Sequence, residues 1–173
     1  MPKVSRVYQQ ATYLGDSVFA ASDGIITTFA VVSGVSGASL APSVVLILGF
    51  ANLLADGLSM AFGNYMNIKS QMEYEKALGK KVIVNSPLKH GAVTYISFVV
   101  AGFLPMIPYV FNFHNKFLGS IIVVVISLFF IGALRSLFTH KNFIKGGFEL
   151  LLLGGMAASF AYLTGYFIEY YVL

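Results

Sequence analysis

Apolar residues in this chain come in long runs rather than at the three-to-four-residue intervals of a soluble amphipathic helix. Five runs approach or reach the roughly 20 residues that a helix needs to cross the hydrocarbon core of a bilayer. They extend from about Ser17 to Leu40, Ser43 to Asn64, Gly91 to Tyr109, Phe117 to Phe138 and Gly147 to Tyr170. The pattern predicts an all-α, polytopic membrane protein with five transmembrane helices. Pro42 and Pro87 stand where the second and third helices should open, positions at which a missing N–H costs little. Pro105 and Pro108 are expected to end or kink the third helix. The connectors are short apart from 65–90, so residues 1–173 read as a single transmembrane domain with one short connector between helices 2 and 3. Within it, KSQMEYEKALGKK reads as the second helix continuing beyond the membrane, with Lys69 and Glu73 at an i,i+4 spacing.

Composition agrees with the pattern. Hydrophobic residues make up 57% of the 173 and charged residues 10%, against about 25% charged in an ordinary soluble domain. So few charges cannot cover a water-facing surface; a bilayer removes that demand. Of the eleven Lys and Arg residues, all but Lys116 precede the first span, lie between the second and third, or cluster around the fourth-to-fifth connector. Basic residues accumulate on the cytosolic side of membrane proteins, so the N-terminus is expected in the cytosol and the C-terminus outside. Tyr109, Tyr170 and Tyr171 would then sit at the outer interface and Tyr13 and Tyr65 at the inner one, in a chain without Trp. The net charge of +4 is not gathered into a basic tract, which argues against nucleic acid as a partner. With no Cys, disulfides and thiolate chemistry are excluded, and any metal must take oxygen, imidazole or thioether ligands. The first sixteen residues lack the apolar core and small-residue cleavage site of a signal peptide.

Against this background the acidic residues within the spans stand out, since an aspartate at a helix centre costs about 2.5–3.5 kcal/mol to insert. Such residues are functional candidates by default. Asp23 lies in the first span, with Asp16 seven residues earlier on the same face. Asp56 lies in the second, on a stripe of four-residue spacing made by Asn52, Asp56, Met60 and Asn64. At 1.5 Å per residue, Asp23 should be about 9 Å inside the first span, with Met60 about 6 Å and Asp56 about 12 Å inside the second. The two helices run antiparallel, so the three residues come to similar heights. Carboxylates with one thioether suit Fe²⁺ or Mn²⁺ better than Ca²⁺ or Mg²⁺. Each residue also has a structural reading: Asp16 as a helix N-cap, Asp23 and Asp56 as buried structural partners, Met60 as core filler, and Asn52 and Asn64 as interhelical hydrogen bonders. His90, His114 and His140 read as isolated and interfacial. Glu73 and Glu75 offer a first landing place for cytosolic metal, or simply a solvated helix face. The small residues of SGVSGAS, Gly34 and Gly37 among them, permit close helix contact, within a protomer or across a dimer.

SDGIITTFAVVSGVSGAS followed by NLLADGLSMAFGNYMNIKSQ resembles the vacuolar iron transporter family, and LPMIPY in the third span and the five-span plan fit as well. The resemblance implies a homodimer that exports Fe²⁺ or Mn²⁺ from the cytosol in exchange for protons, with the ion passing near the two-fold axis. It places the family's translocation carboxylate at Asp23, the carboxylate seven residues before it at Asp16, and the methionine of its SM pair at Met60. The chain departs from the family in two places. Many members carry a glutamate where Asn52 stands, with Asp56 one turn away to compensate. Many also insert a glutamate-rich cytosolic metal-binding domain, for which 65–90 is too short.

The expected function is therefore a divalent metal transporter of the bilayer, with no cofactor beyond the transported Fe²⁺ or Mn²⁺. The rival is a non-transporting membrane scaffold or assembly protein whose buried acids only fix packing. The chain has neither Gly-x-Ser-x-Gly nor His-Glu-x-x-His, so no enzyme is expected. The expected location is a prokaryotic cell membrane rather than a vacuolar one.

Overall fold

The computed structural model describes the backbone of residues 2–80, 82 and 86–172, with side chains from Val7 onward. Lys81 and the side chains of Lys3 and Arg6, which entered the charge asymmetry, lie outside the described residues. All regular structure within them is helical: α1 (Pro2–Gly37), α2 (Pro42–Ala77), α3 (Pro87–Gly102), α4 (Ile107–Val110), α5 (Lys116–Phe138) and α6 (Phe143–Val172), with a 3-10 turn at Leu104–Met106. Five stretches are long and apolar enough to cross a membrane: Val7–Gly37, Pro42–Ala77, Pro87–Val110, Lys116–Phe138 and Phe143–Val172.

The helix ends follow local chemistry. Pro42 and Pro87 each occupy the first turn of their helix. In the third span the regular helix stops at Gly102, and Leu104–Met106 tightens to a 3-10 turn around Pro105. The buried Ser120 hydroxyl on α5 donates to the Pro105 carbonyl at 2.7 Å, satisfying an acceptor that the irregular turn leaves free. α2 ends with Gly79 at φ 64° and a Lys80 N–H bond back to the Glu75 carbonyl, a left-handed closure that glycine adopts without steric cost. α2 therefore continues past the expected span to Ala77, and most of the 65–90 connector is helix.

α1 differs from the expected first span. It begins at Pro2, well before Ser17. Asp16 is thus in mid-helix and cannot be the N-cap of the structural reading: SRVYQQATYLGD holds no proline to stop the helix, and Gly15 is tolerated within it.

α1 is the centre of the bundle, packed against α3, α6, α2 and α5. Ile25, Phe29, Val32 and Val35 along it are buried in the core, joined there by Val124 and Leu128 of α5. α3 packs closely on both α1 and α2. At the α1–α3 crossing Gly24 meets the backbone of Phe98 and Gly102, with room for no side chain: an added Cβ would stand 2.5 Å from the Phe98 carbonyl oxygen. The outer faces are apolar too. Ile47, Leu54 and Leu58 on α2, Ile126 and Phe130 on α5, and Leu152 and Phe160 on α6 are exposed, as fits helices whose solvent is lipid.

The two glycines expected to permit close helix contact, within a protomer or across a dimer, lie at the α1–α6 crossing. A Cβ on Gly37 would collide with the backbone of Tyr162, one on Gly165 would collide with the Gly34 carbonyl, and Gly34 itself faces Ala161. Gly34 and Gly37 thus let α6 approach α1 within the protomer.

Candidate functional site

A cavity of about 490 Å³ opens between α1, α2 and α3 in the half of the bundle that carries the N-terminus. Asp16 and Phe19 line it from α1, Met60, Asn64 and Asn67 from α2, and Thr94 from α3. Gly15 and Gly63 complete the wall, and an added Cβ on either would meet nothing within 4 Å. Their missing side chains help keep the space open.

Asp16 is held from α3. His90 Nδ1 lies 2.5 Å from Asp16 Oδ2; with the carboxylate ionised, this nitrogen is the donor. The His90 ring is fully buried and stacks on Tyr13, with centroids 4.1 Å apart and planes within 10°. Its Nε2 is buried without a hydrogen-bond partner among the described residues. One turn further along α3, the Thr94 hydroxyl donates to the His90 carbonyl at 2.9 Å and accepts from Asn64 Nδ2 at 2.8 Å. Three helices are thereby tied together by polar contacts around one cavity. Asn64 is the interhelical hydrogen bonder that its structural reading described.

His90 was expected to be isolated and interfacial, and the structure corrects this. It occupies the first turns of α3, where α3 leans against α1, and that contact removes it from solvent. The available signal was its i,i+4 spacing to Thr94, which puts two polar groups on one face of an otherwise apolar helix.

Asp23 and Asp56 form a second level. Both are half-buried, and Asp56 is the charged group that acts electrostatically on Asp23. Asp23 is two turns along α1 from Asp16, about 10 Å, and Asp56 is one turn from Met60. Met60 lines the cavity together with Asp16, and the charge of Asp56 reaches Asp23. Asn52, a further turn along α2, keeps a buried amide nitrogen without a partner among the described residues. Among the described residues no three His, Asp or Glu side chains converge on one point; the groups come in twos, supplemented by Met60 and the asparagines.

The remaining acids are peripheral. Glu73 lines a separate cavity with Lys69, Lys76 and Lys89, where three ammonium groups against one carboxylate disfavour a cation. Glu75 is half-buried on the same helix. Glu149 lies 3.9 Å from Arg135 on the surface, and Glu169 accepts from Ser39 at 3.2 Å.

Comparison with known proteins bears on this arrangement. The VIT family model matches residues 14–83 and 77–166. The chain is 27% identical over 216 aligned positions to a vacuolar iron transporter of Plasmodium falciparum, covering 86% of this chain and 79% of that one. It is 26% identical over 164 positions to vacuolar iron transporter homolog 3 of Arabidopsis thaliana, covering 89% and 82%. With vacuolar iron transporter 1 of Arabidopsis thaliana identity is 22% over 206 positions, covering 85% and 82%. The alignments of 216 and 206 positions exceed the 173 residues of this chain, so those two relatives carry insertions that it lacks; the alignment to homolog 3 needs none of that size.

Proposed function

Because the chain belongs to the VIT family, we propose that it transports a divalent metal ion, Fe²⁺ or Mn²⁺, and exports it from the cytosol in exchange for protons. The observation that carries this reading is the pair Asp23 and Asp56. Both lie in membrane-spanning helices, each within reach of the other's charge, and among the described residues no cationic side chain pairs with either. An ionised carboxylate inside a bilayer needs a counter-charge. A divalent ion supplies one to both groups at once, whereas protons neutralise them singly. Competition for the same oxygens is a physical route to metal–proton exchange.

The cavity lined by Asp16, Met60 and Asn64 would be the approach to that pair. The accumulation of Lys and Arg at the N-terminal side orients it toward the cytosol. Met60 adds a thioether beside the oxygens of Asp16 and Asn64, a set that favours Fe²⁺ and Mn²⁺ over harder ions. Asn52 continues the polar stripe beyond Asp56. The working unit would be a homodimer, since five spans cannot divide into two equal inverted halves and a two-fold axis between protomers restores that symmetry.

Uptake by liposomes containing the purified protein tests the reading, with Fe²⁺, Mn²⁺, Zn²⁺ and Ca²⁺ compared and internal pH recorded. Flux of Fe²⁺ or Mn²⁺ coupled to a pH change is expected. If Asp23→Asn liposomes carried Fe²⁺ at the parental rate, the acids would serve packing only and the scaffold reading would replace transport.

A further inference from the structure

We propose that His90 and Thr94, both on α3, are positioning residues that decide which oxygen of Asp16 and which end of the Asn64 amide faces the cavity. The inference deepens the transport reading and rests on it for the identity of the cation, while its geometric content stands on contacts within the chain.

His90 Nδ1 engages one carboxylate oxygen of Asp16 at 2.5 Å. A side chain free to rotate would present either oxygen, or neither, to a ligand. With Oδ2 held by a ring that is itself clamped against Tyr13 and sealed from solvent, Asp16 is fixed in one rotamer as it lines the cavity, and Oδ1 is the oxygen left for a cation.

Thr94 does the equivalent for Asn64. Its hydroxyl has one proton, and the His90 carbonyl, which can only accept, takes it at 2.9 Å. The Thr94 oxygen can then only accept from Asn64, so the amide must turn its NH₂ toward α3. The Asn64 carbonyl oxygen is left as the free group of a side chain lining the cavity. A reversed amide would put two N–H donors toward an incoming cation, repelling it. One helix thus presets two ligands on its neighbours. Preorganisation of this kind raises affinity because the groups need not be ordered when the ion arrives.

Substitutions that keep shape and remove the proton logic provide the test. His90→Phe retains a ring against Tyr13 and loses the donor, whereas His90→Asn retains a donor near the Nδ1 position and loses the ring. Thr94→Val keeps the volume and loses the hydroxyl, whereas Thr94→Ser keeps the hydroxyl. Mn²⁺ binding by the detergent-purified full chain is read from the electron paramagnetic resonance of free Mn²⁺, with thermal unfolding recorded for each variant. Phe and Val should each weaken Mn²⁺ binding about tenfold, the scale of one lost polar interaction, and Asn and Ser should recover most of it. Recovery by the conservative member, without a matching pattern in melting temperature, separates positioning from packing. The Thr94 pair decides the matter if a His90 variant fails to fold. Equal Mn²⁺ affinity across all variants, or no Mn²⁺ binding by the parent, overturns the proposal. Binding that follows the expected pattern without metal flux in liposomes would leave positioning intact and remove transport.

Discussion

Asp23 on α1 and Asp56 on α2 lie near enough for the charge of one to act on the other, and among the described residues no ion pair relieves either. Two ionised carboxylates on neighbouring membrane helices repel each other. The same arrangement makes a cation, or a proton, the natural third member.

Replacing Asp23 with Asn keeps size and polarity and removes the charge. The variant is expected to fold, to melt no lower than the parent, and to lose metal flux by at least about tenfold, a barrier change of about 1.4 kcal/mol. Flux into liposomes and thermal unfolding in the same detergent measure the two effects separately.

Among the described residues Met60 contributes the one sulfur in the cavity wall. Met60→Leu preserves volume and removes the thioether, so stability should change by less than about 1.5 kcal/mol. Fe²⁺ transport should weaken more than Mn²⁺ transport, because sulfur favours the softer ion. Competition between the two ions in one liposome assay reads the ratio directly; an unchanged ratio would reduce Met60 to core filler.

Glycines in this chain have opposite roles, and stability measurements should separate them. An alanine at Gly37 runs into the backbone of Tyr162, which cannot move aside as a flexible side chain could. Gly37→Ala should cost about 1–3 kcal/mol by overpacking. Gly63, where a Cβ meets nothing, should gain up to about 1 kcal/mol as Ala, because glycine is a poor helix former. Unfolding titrations of the two variants against the parent give the comparison.

Orientation can be read with engineered thiols, since the chain has no native cysteine. Cysteines at Lys80, just past the end of α2, and at Val172, the last residue of α6, should react with a membrane-impermeant maleimide from opposite sides. Labelling of both from one side would contradict the orientation drawn from Lys and Arg.

The number of spans and most of their limits were legible in the sequence because bilayer thickness imposes a length, and that length is a local property of apolar runs. Pro42, Pro87 and Pro105 marked their helix boundaries for an equally local reason: a residue without an N–H disrupts a helix wherever it stands. The start of α1 was misjudged because polar residues at a membrane edge continue a helix as readily as they end one.

The candidate acids were also legible, since a carboxylate in an apolar run is conspicuous whatever surrounds it. Which groups meet was another matter, decided by the tertiary structure. That Asp16 and Met60 line one cavity with Thr94 is decided by how α3 packs against both α1 and α2. Gly34 and Gly37 serve α6 because small residues advertise close approach without naming the helix that approaches. His90 is covered by Tyr13 and Asp16 of α1, residues more than 70 positions away in the chain. Composition and periodicity decide which residues a helix carries into the membrane. Their partners depend on helix-to-helix distances, and those are settled only when the whole bundle has closed.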